Sequence, residues 1–443
     1  MSEQDRRQTA QDLLDYIDAS PSPWHAVANA AAELERRGFT PLREDQRWEL
    51  QPGRGYYVVR DDSSLIAFRV GNGPLNRGGF RIVGAHTDSP GFRVKPNAAQ
   101  AKGPMSTLGV EIYGGPILAT FADRDLTLAG RVFVNDPASP TGVRPHLVHF
   151  DRPIVRLPNL AIHMNREVNR EGLKFNYQDQ LPLMLSAFSE ELPPDSQFRH
   201  LLAERLGVAV DAINSWGLAV ADTQPGAFWG PAAEYLANSQ LDNLASCHAA
   251  LAALPDDGPE AGVAVAALFD HEEVGSESYK GASGNFLEAV LERIAGGLQL
   301  DADDYRAALA GSWLVSADMA HAYHPHYASH HDEQHQVRVN QGPVIKINAA
   351  QRYATDELGE AYFARLCQAV GVGHQKYIHR NDLPCGSTIG PMMAARLGLR
   401  TVDVGNPMWA MHSLRESAGA FDQGAMIEVL RAFYADDGGG ISG

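Results

Sequence analysis

Cysteine is almost missing from this sequence: Cys247, Cys367 and Cys385 are the only three in 443 residues. An odd, sparse set without Cys-x-x-Cys spacing excludes a disulfide framework, a zinc knuckle and a dithiol redox pair. Cys247 lies among alanines in a helical run and reads as a buried free thiol. Long apolar runs are missing as well. None approaches the roughly 20 residues that span a bilayer, so no membrane partner is expected. The charged start, Met1-Ser-Glu-Gln-Asp-Arg-Arg7, has no apolar signal core, and the cytoplasm is the expected location. Positive charge is scarce: 37 Lys and Arg against 54 Asp and Glu leave a net charge of -17. Without a basic face for phosphates, nucleic acid is not an expected partner. No internal repeat stands out, and the terminal Gly438-Gly-Gly440 reads as a frayed tail.

What is present fits an ordinary enzyme. The 44% hydrophobic and 21% charged content argues against disorder or a fibrous repeat. A chain of 443 residues exceeds one compact core, so two domains are expected. Residues 6–18 and 23–37 show helical spacing, and strands are predicted at 56–60, 65–70 and 80–85. From about Val94 the texture changes. Short pieces with apolar spacing of two (110–113, 117–119, 126–133, 154–156) are separated by Gly and Pro. Helical patterning at 201–206 and 208–214 and a strand at 217–221 follow. An α/β rhythm then resumes. Helices are predicted at 241–254, 286–296, 361–370, 389–397 and 421–435. Strands are predicted at 263–269, 313–317, 344–348 and 401–404. The fold class is therefore α/β, a sheet domain (1–93 and 236–443) interrupted once by a β-rich insertion (94–235).

Five segments end or interrupt apolar stretches with metal-type side chains. They are Gly84-Ala-His86-Thr-Asp88, Gln240-Leu-Asp242-Asn243, Asp270-His-Glu272-Glu273-Val-Gly275, Ser316-Ala-Asp318-Met-Ala-His321 and Ala410-Met-His412-Ser413. Imidazole with carboxylate suits zinc and other divalent first-row ions. Two ions about 3.5–4 Å apart need a bridging carboxylate plus a further His and carboxylate each. By analogy with two-metal hydrolases, Asp242 bridges, His86 and Asp318 serve one ion, and Glu273 and His412 the other; the terminal ligands could exchange ions. Two residues apart on an extended segment, Asp88 is placed to accept the other ring N–H of His86. Glu272 and Glu273, read as extended neighbours pointing apart, divide labour between proton transfer and metal binding. Taken singly, each motif is also compatible with a solvated surface, and Asp242-Asn243 or Asp318 with a helix cap. The run from His321 through His324, His326, His330 and His331 could be an adventitious metal-binding loop.

The sequence resembles the aspartyl aminopeptidases. The resemblance rests on Ala85-His-Thr-Asp-Ser-Pro90, Asp270-His-Glu-Glu-Val-Gly-Ser276, Ser316-Ala-Asp-Met-Ala-His-Ala322, Gln351-Arg-Tyr-Ala-Thr355, Pro384-Cys-Gly-Ser-Thr-Ile-Gly390 and Met411-His-Ser-Leu-Arg-Glu416. It runs from about residue 10 to residue 435 in the same order. It implies a dinuclear-zinc exopeptidase-type catalytic domain with a mixed central sheet flanked by helices, and a dimerisation role for the insertion. The expected activity is removal of N-terminal Asp or Glu from peptides, with two zinc ions per subunit, one site open to manganese or cobalt. The expected assembly is a homododecamer built from dimers. By position, His86, Asp242, Glu273, Asp318 and His412 match the metal ligands, Glu272 the general base and Asp88 the partner of His86. His163 matches a histidine lent to a neighbouring subunit's active site to steady the substrate carbonyl; alone, it reads as a hydrogen-bonded histidine on a strand.

Lys346 alternates with apolar residues in a strand-like run, where a lysine needs a partner. An anionic substrate side chain or a structural carboxylate would serve. Tyr353 is a second candidate for the substrate carbonyl, and Gly386-Ser387-Thr388 either holds a carboxylate or caps a helix. Where relatives often have Lys-His, this chain reads His330-His331. The net negative charge does not oppose an acidic substrate, since charge is screened within about 8 Å and local cations govern the pocket. Rival readings are a neutral aminopeptidase, a carboxypeptidase or an N-deacylase on the same layout, and a non-catalytic cargo protein. The intact set of ligands and base argues against the last.

Overall fold

The computed structural model describes residues 2–188 and 191–436. The Gly438-Gly-Gly440 tail lies outside the described residues. Nine strands form a mixed central sheet in the order Thr40–Leu42, Gly55–Arg60, Ser64–Val70, Val263–Phe269, Phe80–His86, Trp313–Ala317, Arg400–Gly405, Val344–Ile347 and Gln375–Ile378. The four central strands run parallel, with Phe269 opposite His86 and Ser316 opposite Gly84. Their C-terminal ends therefore lie along one edge, the usual site position in an open α/β sheet.

The central strands are mainly apolar, Val263–Phe269 wholly so, because both their faces are covered. Ala264, Ala266 and Leu268 pack on one side against the helices Glu3–Asp18, Pro23–Arg36, Leu241–Ala253 and Asp422–Ala435. Val263, Val265, Ala267 and Phe269 pack on the other against Phe286–Gly297, Ala302–Ala310 and Ile389–Leu397. This alternation follows from the two-residue side-chain period of a strand. Among the described residues no helix is long and apolar enough to cross a membrane.

A second, six-stranded antiparallel sheet comes from residues 91–222. Its own core gathers Phe92, Leu108, Leu126, Leu128, Leu183 and Leu218 beneath the helix Pro194–Leu206. A third sheet was not expected. Five short strands, Ala227–Trp229, Tyr235–Asn238, Glu416–Gly419, Pro407–Trp409 and Ala320–His321, pair into it. At two to four residues each they are too short to show a period, yet they tie together the segments bearing Asp242, Asp318 and His412.

Other expectations fail locally. Residues 117–119 are not a strand but lead into a 3-10 turn, Leu118–Phe121, with the Ile117 N–H bound to the His412 carbonyl. Residues 208–214 are not helical. Gly207 ends the preceding helix in the left-handed region (φ 66°), and a short turn at Val210–Ala212 leads into the strand Ile213–Asp222. Residues 154–156 contribute only isolated bridges, Val155 to Leu126 and Arg156 to Met184. The helix Ala302–Ala310, capped by Asp301, escaped the sequence reading.

Candidate metal centre

His86 closes its strand at the C-terminal edge of the central sheet, and Asp318 follows the end of Trp313–Ala317. Asp242 lies in the first turn of Leu241–Ala253 with non-helical backbone angles, and the N-cap position is held by Gln240 rather than by Asp242. Glu272 and Glu273 are not extended neighbours. They form a 3-10 turn, Glu272–Val274, entered at His271 (φ 67°) and left at Gly275 (φ 96°). The turn lets consecutive carboxylates project from one tight loop rather than from opposite faces of a strand.

Six side chains converge there in three overlapping groups: His86 with Asp242 and Asp318, Asp242 with Glu273 and His412, and His86 with Glu272 and Glu273. Asp242 is shared between the two histidines. Its Oδ1 lies 3.5 Å from His86 Nε2 and its Oδ2 lies 3.4 Å from His412 Nε2. Asp318 Oδ1 is 3.7 Å from His86 Nε2, Glu273 Oε2 is 3.5 Å from His412 Nε2, and Glu272 Oε2 is 3.9 Å from His86 Nε2. These spacings are long for hydrogen bonds and suit atoms aimed at shared cations. The buried Asp242 Oδ1 has no hydrogen-bond partner. A carboxylate oxygen stranded in this way is costly unless a cation meets it.

The electrostatics report excess negative charge. Burial pushes the Glu272 carboxyl up to about 8, with Asp318, Asp88 and Asp242 adding to the shift and His86 opposing it. Burial and the charge of Asp242 likewise raise Glu273 well above its ordinary range and Glu416 to about 8. Burial opposes protonation of both histidines, but the surrounding carboxylates raise His86 well above its usual value and Asp242 lifts His412 to about 8. Asp242 itself is held low by His412 and His86 against its burial. A cluster of carboxylates whose charge is opposed in this way is one that a bound divalent ion would balance.

The supporting contacts refine the expectation for Asp88. His86 Nδ1–H donates to the backbone carbonyl of Asp88 at 3.0 Å, while the Asp88 carboxylate is 3.5 Å from that nitrogen. The carboxylate instead pins the Glu272–Glu273 turn: Oδ1 accepts from Glu272 N–H and Oδ2 from Glu273 N–H, each at 3.1 Å. Replacing Asp88 by Asn is expected to weaken zinc retention or turnover by about 10–100-fold, read by chelator competition and steady-state rates. Glu416, to which the sequence reading gave no role, is buried and accepts from Asp242 N–H at 3.0 Å and His412 N–H at 2.7 Å. His412 Nδ1–H donates to the Gly115 carbonyl at 3.1 Å. Cys247 is the buried thiol expected, donating to the His86 carbonyl.

The remaining candidates lie around this centre or apart from it. Lys346 is buried, with Nζ 3.4 Å from Asp318 Oδ2 and 3.1 Å from the Met319 carbonyl, and it sits 5.1 Å from the Tyr353 ring centroid. The Lys–carboxylate pair is therefore present, and its partner is a candidate ligand. Tyr353 is buried beside it. His163 is not on a strand. It lies on an exposed turn with Leu160, Ile162 and Met164 also exposed, and it belongs to none of the three groups. Among the described residues, the His324–His331 loop brings no three ligand atoms together; its backbone and rings bond to one another instead. Thr388 caps the helix Ile389–Leu397 and donates to Asp403 at 2.6 Å, so the capping reading of that segment is the one observed.

The Aminopeptidase I zinc metalloprotease (M18) profile matches residues 16–434. The chain belongs to the M18 family. It is accordingly a zinc metallo-aminopeptidase, a hydrolase of peptides. Over 434 residues this M18 chain is 46% identical to "Probable M18 family aminopeptidase 2" of Stutzerimonas stutzeri, covering 97% of this chain and 99% of that one. The cryo-EM structure of the Ape4 and Nbr1 complex matches it with a TM-score of 0.92 and 36% identity, covering 97% of this chain and 86% of that one. The S. cerevisiae mApe1 dodecamer matches with a TM-score of 0.85 and 25% identity, covering 98% and 97%. The mixed α/β architecture described above is thus that of M18 aminopeptidases.

Proposed function

We propose that this M18 enzyme is a two-zinc aminopeptidase of the aspartyl type, removing N-terminal Asp or Glu from peptides. The observation that carries the two-metal reading is the division of the Asp242 carboxylate between His86 and His412. His86, Asp318 and Asp242 would hold one ion, and Glu273, His412 and Asp242 the other, with manganese or cobalt able to replace zinc at one position. Bound there, the pair supplies Lewis acidity and lowers the pKa of water toward about 7. Glu272 takes the proton of the attacking water and later delivers it to the departing amine. Asp88 keeps the Glu272–Glu273 turn and His86 in place.

Lys346 supports the acidic preference. It is a buried cation beside the centre, with Tyr353 next to it, and with Asp318 and the Met319 carbonyl as acceptors one of its three ammonium protons remains for a substrate carboxylate. In this reading Tyr353 and a His163 from a neighbouring subunit hydrogen-bond the scissile carbonyl. The exposed Leu160, Ile162 and Met164 around His163 suit a subunit interface, and the mApe1 relative is a dodecamer. Residues 94–235 are then the dimerisation domain and residues 1–93 with 236–443 the catalytic domain. The Lys346–Asp318 pair also favours a second reading, a neutral aminopeptidase in which Lys346 only balances Asp318.

The deciding experiment is a panel of Asp-, Glu-, Leu- and N-acylated substrates, assayed after chelation and readdition of zinc, manganese or cobalt. The aspartyl reading expects activity only with metal and a free N-terminal Asp or Glu. Lys346→Met should reduce the ratio of Asp to Leu turnover by about 10–100-fold, since a hydrogen bond to a charged group contributes about 1.5–3 kcal/mol. A wild type that prefers Leu rejects the acidic specificity.

A further inference from the structure

We infer that Tyr113 is a positioning residue for the catalytic turn, brought to the centre by the β-rich sheet of the same chain; this rests on the two-metal reading above. Tyr113 ends the strand Met105–Tyr113 and pairs with Gly91, immediately beyond the Asp88–Pro90 segment. Its hydroxyl donates to Asp88 Oδ2 at 2.7 Å. Asp88 is fully buried, and that same oxygen accepts the Glu273 N–H while the other accepts the Glu272 N–H. The phenol is thus a side-chain donor to the same carboxylate that holds the turn. A hydrogen bond to an ionised carboxylate is short and strong, which suits it to this task.

The phenol is itself held. The Arg93 guanidinium lies 4.4 Å from the Tyr113 ring centroid and 5.5 Å from that of Trp24. The His271 ring, next to Glu272, is 6.3 Å away on another side. The two residues that follow reach the centre as well. Gly114 (φ 67°) passes so close that an added Cβ would lie 3.1 Å from the Cβ of Glu273, and the Gly115 carbonyl accepts from His412. Residues 113–115 therefore touch the supports of both halves of the centre. Tyr113 acts through Asp88 on Glu272 and Glu273, and its expected signature is on turnover and metal retention rather than on substrate binding.

Tyr113→Phe removes the hydroxyl and keeps the ring against Arg93. It should lower kcat by about 10-fold or more with KM unchanged, and speed zinc loss to a chelator. The decisive readout is a double-mutant cycle with Asp88→Asn. If Tyr113 acts through Asp88, the double variant is no worse than Asp88→Asn alone. Wild-type kcat and zinc retention in Tyr113→Phe overturn the assignment, as does a loss that multiplies with that of Asp88→Asn. Wild-type turnover that survives complete metal removal would instead defeat the two-metal reading, and this inference with it.

Discussion

Glu272→Gln is expected to keep its fold and both zinc ions while losing about 10³-fold in kcat, within the usual 10²–10⁴ range for a general acid–base group. The substitution preserves shape and the hydrogen bonds of the turn, because Asp88 holds the Glu272 backbone N–H and not its side chain. It removes only the ability to accept a proton. The retained zinc is the informative half of the result. Glu272 and Glu273 both lie in a group with His86, but Glu273 alone also joins Asp242 and His412. If Glu272 were a ligand, its replacement would unload an ion, and metal analysis would show it. Burial holds the metal-free Glu272 carboxyl near 8, so at pH 7 it is already largely neutral. The unfolded chain is ionised at that position at pH 7 and must take up a proton to fold, so the metal-free variant, which has no such cost, should unfold at a higher temperature than the metal-free wild type. Substantial remaining turnover would remove Glu272 from the role of base.

Asp242→Asn should unload both ions and lose more activity than the roughly 10–100-fold expected of a supporting residue. The reason is geometric: the two oxygens of its carboxylate face two different histidines, Oδ1 toward His86 and Oδ2 toward His412. Glu273→Gln is the control, expected to unload one ion only. Thermal unfolding gives an independent reading. A ligand at 100 times its Kd stabilises the native state by about 2.7 kcal/mol per site, so added zinc should raise the wild-type Tm and leave that of Asp242→Asn unmoved. An Asp242→Asn chain that retains two zinc ions per subunit would disprove the bridge.

The two predictions draw on different kinds of information. Asp242, Glu272 and Glu273 were legible as chemistry because their motifs interrupt apolar runs, which themselves announce buried strands. How the two glutamates are arranged was not legible. An extended segment and a 3-10 turn have the same sequence until the left-handed backbone at His271 and Gly275 is known. Asp88 was chosen for its spacing from His86, yet its carboxylate serves the turn, because a loop decides which oxygen reaches the ring. Glu416 and Tyr113 stayed hidden for a related reason. Each binds a group distant in sequence, and no local period records such a contact.

By itself the sequence determined most of the central α/β sheet and its helices, since a strand buried on both faces is mainly apolar and a one-sided helix repeats near 3.6 residues; the edge strands Thr40–Leu42 and Gln375–Ile378 and the helix Ala302–Ala310 were not legible in it. It also determined the residue types that meet at the sheet edge, because parallel strands carry their polar ends to the same side. Only the tertiary structure decided that Asp242 lies between His86 and His412, that Lys346 faces Asp318, and that Tyr113, at the end of a strand of the second sheet, and Gly115 just beyond it bond to Asp88 and His412. Those are long-range contacts fixed by packing, the third sheet and loop closure, and no window of neighbouring residues contains them.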